Sequence, residues 1–154
     1  MPKIDMSALP WRSGTSYPKA FHDGSKGRAR RVLGRAAGLS QFGVNLTRLE
    51  PGATSAQRHW HEAEDEFVYV IDGELVLVED DGETILGVGE AAGFKAGVAN
   101  GHHLINRSNA TALYLEIGTR AARERGHYPD IDLAYERDEK GTRFSHKDGT
   151  PYES

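Results

Sequence analysis

The sequence predicts an all-β sandwich or barrel. Two observations carry that prediction. Short segments alternate β-branched or aromatic residues with polar ones and are separated by glycine-bearing turns, and no stretch from residue 39 to 119 shows helical periodicity. Strands at close, even spacing with hairpin-length connections read as a sandwich or barrel.

Taken in order, residues 1–27 are polar and rich in Gly, Ser and Pro, and are expected to form an extended arm. Residues 28–119 form the barrel. The basic run "KGRARRVLGR" precedes the first clear strand, and its simplest reading is a solvated edge. The strand segments follow as "QFGVNLTRL", "EFVYVI", "ELVLVE", "ETILGV", "HHLIN" and "ALYLEI". Asp72-Gly73, "EDDG" ending at Gly82, "GVGEAAG" and "NRSNA" supply the turn chemistry between them. The strand from Glu74 to Glu79 is apolar on both faces, as a central strand between two layers requires. In "ALYLEI", Tyr114 and Glu116 share one face while Leu113, Leu115 and Ile117 share the other; if the aliphatic face is buried, Tyr114 and Glu116 look outward and are not catalytic. Residues 120–154 mix charges with large apolar side chains such as Tyr128, Leu133 and Phe144, and are expected to pack as a tail on the barrel or on a partner subunit.

Composition removes several functions. The 154-residue chain carries a net charge of −4, so nothing points to nucleic acid or an anionic membrane surface. The absence of cysteine rules out disulfides and thiolate ligands. No apolar run approaches membrane-spanning length and no secretory h-region opens the chain, which makes a soluble, cytoplasmic protein the expectation. Asn-x-Ser/Thr triplets at Asn45, Asn106 and Asn109 are chance matches in that setting.

The chemistry gathers in "QRHWHEAEDEFVYVIDG", residues 57–73. Taken as two antiparallel strands joined across Glu62 to Asp65, the segment sets His61 opposite Glu66, His59 opposite Val68 and Gln57 opposite Val70. His59 and His61 share a face because side chains repeat every two residues along a strand, while Trp60, Phe67, Tyr69 and Ile71 point the other way. Two imidazoles and a carboxylate on one face suit a divalent metal ion. In "GEAAGFKAGVANGHHLINRS", His102, Leu104 and Asn106 share one face, so His102 is the expected fourth ligand, with His103 the substitute if the register slips by one. Gln57 and Asn106 lie on the same faces and are candidates to contact substrate. Asp65 and Glu64 are read as solvated turn residues, Lys95 as a surface lysine, and His127 and His146 as ordinary surface residues that could close over a barrel mouth.

These residues resemble the cupin superfamily. Its first motif, G-x5-H-x-H-x3-4-E-x6-G, is matched by Gly52, His59, His61, Glu66 and Gly73, with one extra residue between Gly52 and His59. Its second motif, G-x5-P-x-G-x2-H-x3-N, is matched by Gly89, Gly97, His102 and Asn106, with Lys95 in place of proline and two extra residues between Gly97 and His102. The tail "HYPDIDL…FSHKDGTPY" further resembles small bacterial single-domain cupins described as uncharacterised. The resemblance implies a double-stranded β-helix (jelly-roll) barrel, one internal metal ion and a homodimer. It does not supply a reaction.

Three histidines and a glutamate leave open positions on a five- or six-coordinate ion, and such a set suits Fe, Mn, Ni or Zn alike. The leading expectation is a metal-dependent enzyme acting on a small polar organic molecule, a sugar derivative or an oxidised aromatic, by isomerase, lyase or dioxygenase chemistry. The alternatives are a non-catalytic metal-dependent module that binds or senses a small molecule, and a barrel that keeps its histidines for packing.

Overall fold

The computed structural model describes residues 2–153, and the barrel it shows is a jelly roll of antiparallel sheets. In chain order the strands are β1 (Arg28–Val32), β2 (Phe42–Leu49), β3 (Trp60–His61), β4 (Glu66–Asp72), β5 (Leu75–Glu79), β6 (Gly82–Leu86), β7 (Ala91–Phe94), β8 (His103–Ile105), β9 (Ala112–Thr119), β10 (Glu124–His127), β11 (Ala134–Asp138) and β12 (Gly141–Ser145). One sheet runs β1-β2-β9-β4-β7, a second β6-β5-β8, and a third β12-β11-β10-β3. β5, apolar on both faces, is the central strand of its sheet, and Leu75, Val76 and Leu77 are all buried.

The five-stranded sheet carries the logic of the interior. Its register aligns Arg28 with Leu49 and Ala112 at one end. The next row inward is Arg30, Thr47, Tyr114 and Val70, then Val32, Asn45, Glu116 and Val68. The last row sets Gly43, Gly118, Glu66 and Phe94 side by side. The apolar end closes against Leu75, Leu77, Leu86 and Leu104 to form the core. Toward the other end the same face turns polar and the glycines leave room, so the barrel stays open there.

Two expectations are overturned by this register. Tyr114 and Glu116 face inward, and Tyr114 is fully buried in the core, while Leu113, Leu115 and Ile117 take the outer face and stay half-exposed. The aliphatic side of β9 is not the buried side, because the other side faces a cavity whose wall carries Arg28, Arg30, Glu66 and the histidines. Nor do the strands on either side of Glu62–Asp65 form a hairpin. β4 lies between β9 and β7, whereas β3 pairs with β10, Trp60 opposite His127 and His61 opposite Gly126. The donors of the intervening turn are taken elsewhere: Glu62 N–H and Ala63 N–H by the Glu124 carboxylate, and Asp65 N–H by the Thr119 hydroxyl. A strand partner contributed by the tail, some sixty residues away, leaves no local trace in the sequence.

Asp72-Gly73 likewise turns a corner between sheets rather than closing a hairpin, whereas Glu79 and Gly82 do close the β5–β6 hairpin. Gly73 sits at φ +80°, and a Cβ there would lie 2.9 Å from Ala112 Cα and 3.0 Å from Thr111 O. Backbone on the far side cannot yield. Gly73→Ala is therefore expected to cost about 2–4 kcal/mol from combined strain and clash, read by chemical denaturation, whereas Gly82→Ala, with open space around its Cβ, costs less.

The arm and tail complete the open end. The arm holds short 3-10 turns at Met6–Ala8 and Lys19–Ser25, and its Arg12 bridges Arg30 on the edge strand β1. Tyr17 of the arm packs edge-on against Tyr128 (5.9 Å between ring centroids) and Phe144 (5.7 Å) of the tail. The tail is pinned from the barrel side by Arg58, which donates to both Asp130 carboxylate oxygens at 2.8 Å and pairs with Asp80 of the β5–β6 turn. Among the described residues no helix is long and apolar enough to cross a membrane.

Candidate metal centre

Alternation along a strand keeps His59 and His61 on one side whatever strand lies beside them, and here that side is the cavity. An isolated antiparallel bridge, His59 N–H to His102 O at 3.2 Å and His102 N–H to His59 O at 2.9 Å, then sets His102 directly across from His59. The ring centroids of His59 and His61 are 4.9 Å apart, and those of His59 and His102 are 5.0 Å apart. Glu66, first residue of β4, reaches in from the facing sheet. Its carboxylate meets Nε2 of His102 at 2.6 Å, of His61 at 3.3 Å and of His59 at 3.5 Å.

The other ring nitrogens show how the imidazoles are aimed. Nδ1 of His59 bonds Gln57 O at 2.7 Å and Nδ1 of His102 lies 3.2 Å from Asn100 O. A carbonyl only accepts, so each Nδ1 donates to it and each Nε2 is turned to the Glu66 carboxylate, where it donates in the ion-free protein and would offer its lone pair to an ion. His102 is further held flat against Phe94, the rings stacked at 3.6 Å and 2°. Nδ1 of His61 has no hydrogen bond; the buried Glu124 carboxylate stands 3.8 Å away.

This donor set fits a divalent ion. One ligand atom from each of His59, His61 and Glu66 lies within 4.8 Å of the others, and His102 reaches the same carboxylate. Burial works to raise the Glu66 pKa, yet the hydrogen bonds from His102, His59 and His61 prevail and hold it well below the usual carboxylate range. Burial likewise opposes a charge on His61, but Glu66, with Glu124 and Glu64 nearby, leaves its pKa raised.

His103 turns aside and bonds Ala56 O at 2.9 Å, although its ring still lines the cavity. The two candidate substrate contacts lie elsewhere. Asn106 is fully buried, donating to Leu49 O and Ala110 O and accepting from Ser108, so its amide closes a turn. The Gln57 side chain packs against Gly24, and its carbonyl serves His59. Neither lines the main cavity. His127 stacks on Trp60 and bonds Glu62, and His146 bonds Asp132. Lys95 is exposed at the rim of a smaller cavity of about 200 Å³ on the other side of Glu66 and His102.

The main cavity, about 620 Å³, is lined by residues whose roles the sequence concealed. Glu64 is not solvated: its side chain is 11% exposed, it pairs with Arg137, and it accepts from Ala121 N–H at 3.0 Å. Arg28 and Arg30 of the basic run are not a solvated edge either; they alternate inward from β1 and line the wall. Tyr17 and Tyr128, from the arm and the tail, cover the side next to His59, whose ring lies 5.9 Å from Tyr128. Strand alternation in "RARRV" was the available signal for the arginines; nothing local could have placed the tyrosines.

Residues 45–118 match the family described as Cupin domain. A solved structure from Silicibacter pomeroyi DSS-3, described as a sugar phosphate isomerase from a cupin superfamily, is 46% identical over 99% of this chain and 98% of its own, with a TM-score of 0.95. This chain belongs to the cupin superfamily. Two more distant structures share the cupin fold. A protein from Acidithiobacillus ferrooxidans ATCC 23270 is 24% identical over 99% of this chain and 97% of its own, with a TM-score of 0.84. The polyketide cyclase RemF from Streptomyces resistomycificus is 21% identical over 77% of this chain and 79% of its own, with a TM-score of 0.63. No curated protein sequence matches this cupin. Because the Silicibacter protein aligns along nearly the whole chain, the similarity includes the arm and tail that wall the cavity.

Proposed function

We propose that this cupin is a metal-dependent isomerase of a small sugar derivative, with His59, His61, His102 and Glu66 as the ligands of one divalent ion. The observation that carries the reading is the convergence of three imidazole Nε2 atoms on one carboxylate at the wall of a cavity of about 620 Å³. That volume suits a small metabolite. The description of the 46%-identical Silicibacter protein as a sugar phosphate isomerase supports the choice of chemistry. Fe(II), Mn(II), Ni(II) and Zn(II) all suit the donors.

When bound, the ion would supply Lewis acidity to a substrate carbonyl or hydroxyl group. The chain's own residues do the rest. Glu64 has a carboxylate oxygen within 4.8 Å of a His61 ring nitrogen, and Arg137 with the Ala121 N–H fixes its position. Because it lines the cavity beside His61, Glu64 is the group we assign to take a proton from one substrate carbon and return it to the next. Burial pushes the Tyr128 phenol far above its ordinary range, so it stays protonated on a ring packed 5.9 Å from that of His59. Tyr17 and Tyr128 together cover that side of the cavity.

The test is reconstitution of metal-free protein with each of the four ions, followed by incubation with aldoses, ketoses and their phosphates under NMR observation. Interconversion of one pair, dependent on added ion, is expected. A fully loaded site that interconverts none of them would overturn the assignment.

A further inference from the structure

The charge of the cavity wall opposes that of the molecule. The chain as a whole is net −4, yet among the arginines and carboxylates lining the main cavity four arginines stand against three glutamates. Two of the latter are already engaged: Glu66 holds the histidine cluster and Glu64 holds Arg137. A bound divalent ion would raise the positive excess further.

The excess is concentrated on β1. Arg28 is 7% exposed, and its guanidinium donates to two neutral acceptors, Ser55 O and Gly14 O. Among the described residues it has no carboxylate partner. Burying a cation against carbonyls alone is expensive unless an anion arrives to share the space. Its pKa is pushed down, first by burial and then by Arg30. Arg30, two residues on and on the same face, sets its Nε 2.8 Å from Glu116 Oε1, but that N–H is not aimed at the oxygen and makes no hydrogen bond. The same Glu116 oxygen accepts from Asn45 at 2.9 Å. Glu116 therefore stands against Arg30 and not Arg28, and the terminal nitrogens of Arg30 make no hydrogen bond among the described residues.

We propose that Arg28 and Arg30 form a subsite for the phosphoryl group of the substrate, which makes the substrate a sugar phosphate. Guanidinium forks match phosphate oxygens in pairs, and a phosphoryl anion supplies the negative charge that Glu116 alone does not. The inference rests on the isomerase reading for the rest of the substrate, and its test is equilibrium binding to metal-free protein, which does not depend on turnover.

Calorimetric titration at pH 8 with inorganic phosphate, a hexose phosphate, the unphosphorylated hexose and a hexuronate reads the subsite directly. The hexose phosphate is expected to bind and the free hexose not to. Arg30→Gln should weaken hexose phosphate and inorganic phosphate by about tenfold or more, as loss of a charge-assisted contact implies. Glu116→Gln should tighten both several-fold, because it releases Arg30 from its competing anion. A residue serving structure alone would not give opposite signs in the two variants. Arg28 is left intact in this test because it also anchors Ser55 and Gly14. Equal affinity for the hexuronate would overturn the phosphoryl assignment, and equal binding by wild type and both variants would overturn the subsite. Variant-dependent phosphate binding without turnover of any sugar phosphate would leave the subsite standing and remove the isomerase. Ion-dependent turnover with Arg30→Gln changing KM equally for phosphorylated and neutral sugars would do the reverse.

Discussion

Replacing His61 with alanine is expected to lower divalent-ion affinity by more than the roughly 10–100-fold that loss of an outer partner costs, and to abolish ion-dependent turnover. His61 contributes one of the three Nε2 atoms gathered around Glu66, and no other imidazole stands ready to replace it: His103 is tied to Ala56 O and His127 is stacked on Trp60. Isothermal titration with Mn(II) or Zn(II), with metal content per chain after dialysis, measures the loss. Undiminished affinity in His61→Ala would remove it from the ligand set. The same variant has a second signature in the metal-free protein. Because the folded pKa of His61 is raised above 6.5, its protonated form adds stability that is fully present below pH 6.5 and disappears as pH rises through the folded value. Glu66 has the opposite sign: its contribution is present above pH 4.5 and is lost as pH falls toward its depressed folded value. Metal-free protein should therefore melt highest between about pH 4.5 and 6.5 and lower at pH 8. His61→Ala should flatten the alkaline side of that profile. Metal uptake runs against it, since ligands must be deprotonated, and should strengthen toward pH 8.

Arg58→Ala should destabilise the fold by about 2–3 kcal/mol, the range for losing charge-assisted hydrogen bonds whose carboxylate partners return to water. Arg58 is largely buried, while Asp130 and Asp80 are about half-exposed, so the partners are resolvated rather than stranded. The bonds join three segments distant in sequence: the approach to β3, the β5–β6 turn and the tail. Released tail also means a displaced Tyr128, two residues before Asp130 and part of the cavity wall. Loss of stability in denaturant melts should therefore be accompanied by faster amide exchange in β10 and β11. Exchange unchanged in those strands, with stability lost, would mean that Arg58 acts on the barrel and not on the tail. Arg58→Lys should recover only part of the loss, because an ammonium cannot make the paired bonds to both Asp130 oxygens.

The distribution of these residues explains what could be read in advance. The strand segments "EFVYVI", "ELVLVE" and "ALYLEI" were legible because alternation and turn residues act within a few positions of one another. The shared face of His59 and His61 was legible for the same reason; the approach of Glu66 was read from a hairpin that does not form, and β4 of the facing sheet supplies it instead. Two residues apart on a strand means one face, whichever strand lies alongside. The reading failed where the neighbour decides. Which side of β9 is interior depends on the far wall, and that wall is a polar cavity, so Tyr114 and Glu116 turned inward. Whether Arg28 and Arg30 meet water or a cavity depends on the arm that covers β1. The unassigned strands β10–β12 lie in a tail whose charged composition hides them until β3 supplies an edge.

By itself, then, the sequence determined an all-β chain, the residues that alternate toward one side, and three imidazoles with a carboxylate at spacings that let them meet. Only the tertiary structure decided which strands pair, which face is inside, and that two arginines and two tyrosines wall the cavity. The physical reason is range: side-chain direction follows from covalent geometry over two residues, whereas the medium each side chain enters is set by segments that arrive from elsewhere in the chain.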